Sequence, residues 1–203
     1  MKYYHTGVDI LGVLIIAIFA TFIFTFRKNK FETNKMFFVF LILISGFLLT
    51  DMCCHLVDGL QEIEWLVYVF YTLNYIFAIA LLFLFLQHIL LSVKNKNIKK
   101  SMLFISLIVA VADVILIILN LFFPIYFEVT NGVYSKVETY FICSIIYGYF
   151  ILMCLIFSLF AKALKKRTRI LLLVYCAVLI CSSVVSILMP NISTICIALI
   201  VCI

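Results

Sequence analysis

Residues able to bind ions or polar ligands gather in one stretch of an otherwise apolar chain, Asp51 to Gly59, with the sequence DMCCHLVDG. At about 100° per residue, helical periodicity predicts that Asp51, Cys54, His55 and Asp58 lie on one face of a helix. Three interpretations of this face are open: hydrogen bonding of Asp51 to neighbouring helices, an outward-facing ligand pocket, or a metal site. One helical face seldom completes a tetrahedral metal shell, so we predict no metal site.

The ligand pocket needs further side chains from other apolar stretches. Tyr71, Asn74 and Tyr75 are the candidates from the next stretch, where they would complete a pocket begun by Asp51, His55 and Asp58. Asp113 is a further candidate, because an ionisable residue within a membrane span costs about 3 kcal/mol and generally faces a partner or a wet cavity. Structural packing is the alternative for Asp113.

The composition of the chain indicates which structural elements hold these residues in place. The chain has 203 residues, of which 67% are hydrophobic and 12% charged. Apolar runs of about 20 residues recur, as helices that cross a bilayer require. The predicted fold class is all-α: a polytopic transmembrane helical bundle forming one membrane-embedded domain over residues 1–203. Its six full spans cover about 8–26, 36–57, 66–93, 101–123, 141–164 and 170–189, with an incomplete seventh at 192–203.

One segment outside the spans differs from the rest. In PIYFEVTNGVYSKVETY, between spans four and five, residues of high strand propensity flank Asn131-Gly132. This dipeptide is a strong signal for a two-residue turn. We therefore predict a short extracellular β-hairpin here.

The basic residues predict the orientation. Thirteen of the fifteen Lys and Arg residues follow spans one, three and five, with Lys162 at the end of span five included, and only Lys2 and Lys136 fall on the other side. The positive-inside rule then places the N-terminus outside the cell and the C-terminus in the cytoplasm. The apolar segment after Pro190 is shorter than a bilayer crossing, so we expect a seventh helix that continues beyond Ile203.

Several classes of function are disfavoured. Basic residues occur in short clusters and not in one stripe, which argues against nucleic acid as a partner. The sequence contains no nucleophile elbow, HExxH pair or phosphate-binding glycine loop, so we predict no catalytic residues and no cofactor. The eight cysteines show no metal-binding spacing, and we expect them to be reduced, with a bridge from Cys53 or Cys54 to Cys143 as the alternative.

Four stretches carry a resemblance to a known family: VDILGV in span one, LLTDMCCHLVDG in span two, LNYIFAIALLFLFLQHIL in span three, and YFEVTNGVYSKVETYF before span five. Together they resemble the N-terminal seven-helix membrane region of Firmicute sensor proteins, which precedes GGDEF diguanylate cyclase or histidine kinase domains. The resemblance implies a role in sensing a ligand or membrane state and regulating a cytoplasmic output domain.

The leading functional prediction is therefore a sensory receptor module that relays an extracellular or membrane signal. Its expected partners are the lipid bilayer, a small-molecule ligand and the output domain, and a homodimer is one assembly left open. The alternative is a small seven-helix transporter, which predicts broken helices and internal repeats. Spans one to six contain no proline, which counts against the transporter.

Overall fold

The computed structural model describes Gly12, residues 31–91 and residues 96–137. These residues form three long helices, α1 (Phe31–Val57), α2 (Glu64–Leu91) and α3 (Lys96–Leu119). A single 3₁₀ turn, Gln61–Ile63, precedes α2. Two strands follow α3, β1 (Phe127–Thr130) and β2 (Val133–Lys136), and they pair as an antiparallel sheet.

The prediction of an all-α bundle of seven helices is wrong for the described part of the chain, which contains three helices and a two-stranded sheet. Hydropathy measures how readily a stretch leaves water, and it does not show how many helices pack into one bundle. The predicted spans at 8–26, 141–164, 170–189 and 192–203 lie outside the described residues, apart from Gly12 in the first. What the structure does contain is three helices long and apolar enough to cross a membrane.

Helix α2 is the centre of the described structure, because α1 packs on one side of it and α3 on another. Leu41, Ile44 and Leu48 of α1 are buried together with Leu81 of α2. Gly46 allows the two helices to approach closely, since a Cβ atom at this position would lie 2.6 Å from the Phe77 ring. Near the other end of α2, its buried residues Leu86 and Leu90 pack with Met102 and Leu103 of α3.

A tight turn joins α1 to α2. Helix α1 ends at Val57, and Gly59 follows with φ of 87°, the left-handed conformation that commonly closes a helix. The Asp58 amide donates to the Cys54 carbonyl at 3.0 Å, and the Leu60 amide donates to the Val57 carbonyl at 3.1 Å. Two amides of the turn are therefore satisfied by residues within the same few positions of the chain.

The predicted hairpin is present and uses the predicted two-residue turn. Its register pairs Thr130 with Val133 and Glu128 with Ser135. Asn131 and Gly132 both have positive φ, 55° and 77°. Two consecutive positive φ angles characterise the type I′ turn, whose twist matches that of the flanking strands.

The hairpin does not project freely from the helices. The Gly59 amide donates to the Gly132 carbonyl at 2.7 Å, so the hairpin turn rests against the α1–α2 turn. Tyr126, Phe127 and Val129 are buried in one apolar cluster with residues of all three helices, Val57, Val67, Ile79, Ala110 and Ile117. The hairpin thus covers one end of the three-helix unit.

Gly132 provides a sharp test of this docking. A Cβ atom there would lie 2.7 Å from the Leu60 carbonyl oxygen, and the positive φ is unfavourable for any L side chain. We expect Gly132→Ala to weaken hairpin docking by at least about 2 kcal/mol, seen as faster hydrogen exchange of the β1 and β2 amides. Asn131→Gly is the matched control, because glycine adopts positive φ without steric cost. Equal protection in both variants would contradict the docked geometry.

Candidate functional site

Asp51, His55 and Asn74 meet between α1 and α2. The His55 Nε2 atom lies 3.9 Å from the Asp51 Oδ2 atom one helical turn away, and the two side chains are 27% and 16% exposed. The Asn74 amide group of α2 donates to Asp51 Oδ1 at 3.5 Å, and to Thr50 Oγ1 and the Phe47 carbonyl, each at 3.3 Å. This group, which we call the polar cluster, therefore joins two helices while leaving part of Asp51 and His55 accessible.

Asp58, Tyr71 and Tyr75 belong to a different arrangement, because all three contact Tyr134 of the hairpin. The Tyr134 amide donates to Asp58 Oδ1 at 2.9 Å. The Tyr71 and Tyr134 rings stack with centroids 3.9 Å apart and an interplanar angle of 7°. The hydroxyl oxygens of Tyr75 and Tyr134 lie 2.6 Å apart. These predicted pocket residues therefore hold the hairpin in place.

Asp113 connects α3 to the same region. Its Oδ1 atom accepts a hydrogen bond of 3.0 Å from the Tyr126 hydroxyl, in the segment between α3 and β1. The Tyr126 ring in turn packs against Tyr75 at 5.9 Å between centroids. Asp113 was predicted to be either a structural residue or part of a site, and either role requires a hydrogen-bonding partner. In the described structure, Tyr126 is one such partner.

Phe127 is the centre of what we call the aromatic cluster. Its side chain is 0% exposed. Its ring lies 5.5 to 5.8 Å, centroid to centroid, from the rings of four tyrosines. The four are Tyr68, Tyr71, Tyr75 and Tyr134. The Tyr68 hydroxyl also accepts from the Val129 amide at 3.3 Å, so tyrosines of α2 contact both strands.

The predicted pocket residues thus divide between two adjoining groups. Asp51, His55 and Asn74 form the polar cluster, whereas Asp58, Tyr71, Tyr75 and Asp113 support the hairpin. Within the described ranges, no three His, Cys, Asp or Glu side chains are grouped so as to hold a metal ion. Cys54 is buried at 1% exposure, and Cys143 lies outside the described residues. The polar cluster can hydrogen bond or attract a charged ligand.

Sequence reasoning missed the roles of Asn120, Phe127 and Tyr134. Asn120 is 2% exposed, and its Oδ1 atom accepts from the amides of Ile125, Tyr126 and Phe127. Its Nδ2 atom donates to the Phe127 carbonyl at 3.0 Å. A signal for Asn120 was available: an amide side chain at the end of an apolar run, shortly before Pro124, is suited to satisfy a turning backbone.

Lys136 is the last residue of β2 and lies outside the three long apolar helices. Desolvation lowers the pKa of its ammonium group, although the residue as a whole is exposed. The hairpin end therefore carries a weaker base than an isolated lysine.

Comparisons with protein-family models, curated proteins and solved structures find no match for this chain.

Proposed function

We propose that this chain is the membrane-embedded sensory module of a bacterial signalling protein. The observation that carries the proposal is the attachment of one hairpin residue, Tyr134, to the α1–α2 turn through Asp58 and to α2 through Tyr71 and Tyr75. A ligand that alters this attachment alters the helices directly. The resemblance described above makes a diguanylate cyclase or a histidine kinase the expected cytoplasmic output domain.

Membrane embedding is supported by the exposed faces of the helices. Large apolar side chains are exposed on all three, among them Ile42 at 53%, Val69 at 40% and Phe104 at 64%. Contiguous exposed apolar surface is unfavourable in water and expected in hydrocarbon. The candidate spans have 20, 24 and 21 residues, close to the length that crosses a bilayer.

Because the α1–α2 turn contacts the hairpin, both lie on the same side of the membrane in this proposal. Neither Lys nor Arg occurs between Asp58 and Trp65, whereas Lys96, Lys99 and Lys100 lie in the first turns of α3, at the other end of the helices. By the positive-inside rule, the hairpin end is extracellular and the basic end is cytoplasmic. The polar cluster then lies toward the outer side of the bacterial plasma membrane, and a small polar molecule can reach it from outside.

Signalling in this proposal is a shift between docked and undocked hairpin arrangements. A two-stranded hairpin is at best marginally stable alone, so its order depends on the helices beneath it. The hairpin contacts the turn after α1 through Asp58 and α2 through Tyr71, and Tyr126, just before β1, contacts α3 through Asp113. A ligand that binds one arrangement more tightly shifts the population by its difference in affinity, and all three helices respond.

The transporter alternative is less well supported by the described geometry. Transporter sites near the bilayer midplane are often formed by broken helices. Asp51 and Asp113 lie instead in helices that run continuously through Phe31–Val57 and Lys96–Leu119. In the part of the chain that the structure describes, this arrangement favours a receptor.

The test uses the full-length protein in membrane vesicles and needs no identified ligand. Tyr134→Ala removes the stack on Tyr71 and the hydroxyl contact with Tyr75. We expect basal output, measured both as cyclic di-GMP formation from GTP and as autophosphorylation from ATP, to change about 5- to 30-fold. A docking loss of about 1–2 kcal/mol corresponds to that range. Tyr134→Phe keeps the stack, and we expect a smaller change in the same direction.

Ser135→Ala is the matched control, because Ser135 is exposed on the same strand and contacts Glu128 within the hairpin. Membrane-inserted protein is quantified for each variant, so that output is compared per molecule. Unchanged output in both Tyr134 variants at normal protein levels would refute the relay from hairpin to output.

A further inference from the structure

A groove lies between α2 and α3 at the end of the helices far from the hairpin. It has a volume of about 450 Å³, within the range of about 300–1,000 Å³ typical of ligand pockets. Apolar side chains line one part of it: Phe83, Leu103, Phe104 and Leu107. Polar side chains line the other part: Gln87, Lys100 and Ser101.

The groove crosses the boundary between apolar and polar sequence. The candidate spans cover Gln61–Leu84 and Lys99–Leu119. Phe83 and Leu107 lie well within them, Lys100 and Ser101 are the second and third residues of the second span, and Gln87 lies three residues beyond the first. In a bilayer, this boundary is the level at which lipid headgroups meet acyl chains. The polar part of the groove therefore lies at headgroup level and its apolar part in the hydrocarbon.

Lysine residues continue the polar part of the groove along one face of α3. Helical periodicity places Lys96, Lys100, Leu103 and Leu107 on the same face, with the lysines at its beginning. The sequence contains no Asp or Glu between Glu64 and Asp113, so neither helix supplies an acidic residue at this end. The groove thus has one basic residue on its walls, Lys100, a second, Lys96, one helical turn before it on α3, and an apolar floor.

We propose that this groove binds one anionic phospholipid. The Lys100 ammonium, the Ser101 hydroxyl and the Gln87 amide are the donors for the phosphate, and an acyl chain lies along Phe83, Leu103 and Leu107. A soluble anion would leave the apolar part unfilled, and a zwitterionic lipid would place a second positive charge beside the lysines. The site is separate from the hairpin, so the proposal does not depend on the sensing function.

The experiment uses tryptophan fluorescence, because the chain contains a single tryptophan, Trp65, near the opposite end of α2. In a Trp65→Phe background, Phe104→Trp places a reporter in the groove. The protein is reconstituted with phosphatidylglycerol or phosphatidylcholine carrying brominated acyl chains, which quench a neighbouring indole. We expect half-maximal quenching at a mole fraction at least about fivefold lower for phosphatidylglycerol, the scale of one Lys interaction with an anionic leaflet.

Lys100→Gln should remove most of that preference, whereas Lys136→Gln, a lysine on the hairpin, should leave it unchanged. Native mass spectrometry of Lys100→Gln and the unmodified chain gives a second measurement without a reporter, with less retained phosphatidylglycerol expected for the variant. Equal quenching by both lipids, or an unaffected preference in Lys100→Gln, would refute the site. Abolition of the preference by excess inorganic phosphate would also refute it, by identifying a site for soluble anions.

Discussion

Phe127→Ala is expected to destabilise hairpin docking by about 3–5 kcal/mol, the usual cost of truncating a fully buried phenylalanine. The Phe127 side chain is 0% exposed and is surrounded by tyrosine rings at centroid distances of 5.5 to 5.8 Å. Alanine would leave a cavity where the hairpin meets α2. The aromatic pairs also contribute beyond the area they bury, so the loss should fall toward the upper part of this range.

Hydrogen exchange of the purified protein in lipid measures this effect. We expect the β1 and β2 amides to exchange about a hundredfold faster or more, because each 1.4 kcal/mol changes the open population about tenfold. Phe122→Ala is the matched control, since Phe122 is 75% exposed and the chemical change is the same. Comparable acceleration in the control, or none in Phe127→Ala, would show that the aromatic cluster does not hold the hairpin.

Asn120→Ala is expected to weaken the segment between α3 and β1 by about 3 kcal/mol or more. The side-chain oxygen of Asn120 accepts hydrogen bonds from three backbone amides, including that of Ile125 at 2.8 Å. Its amide nitrogen donates to the Phe127 carbonyl. A buried donor left without a partner costs about 1–3 kcal/mol, and alanine leaves several. The result should be loss of protection at Tyr126 and Phe127 and a lower thermal midpoint.

Two further variants sharpen this prediction. Asn120→Asp keeps an acceptor for the three amides and loses only the donor to the Phe127 carbonyl, so we expect it to retain more protection than alanine. Asn97→Ala makes the same chemical change near the other end of α3, far from residues 125–127, so we expect it to leave the protection of Tyr126 and Phe127 unchanged. If Asn120→Ala behaved like Asn97→Ala, the backbone of residues 125–127 would have another source of stability.

The Phe127 and Asn120 variants also test the proposed signalling. Phe127 and Asn120 act on hairpin docking from different directions, Phe127 through packing on α2 and Asn120 through the backbone after α3. If hairpin docking controls output, both alanine variants should change output in the same direction as Tyr134→Ala. This agreement among three chemically different changes would separate a docking effect from a local effect at Tyr134.

Local features were predictable from the sequence because they depend on residues close together in the chain. Asn131 and Gly132 tolerate positive φ, so the dipeptide predicted the turn that the structure contains. Asp51 and His55 are four residues apart, so helical geometry alone brought them to one face. The end of α3 was harder to predict: Leu119 is its last residue, although the apolar run continues to Phe123. The Asn120 side chain accepts hydrogen bonds from the backbone amides of residues 125–127, and hydropathy carries no information about such bonds.

The contacts that define the candidate site were decided by the tertiary structure. Helices α1 and α2 are rich in apolar residues on every side, so periodicity did not mark which face would be packed. The pairs that matter, such as Asn74 with Asp51 and Tyr134 with Asp58, join residues far apart in the chain. Sequence alone selected Asp51, His55, Asp58, Tyr71 and Asn74 as polar or aromatic residues in apolar surroundings. Only the rotation of α2 against α1 and the docking of the hairpin assigned Asn74 to the polar cluster and Tyr71 to the hairpin.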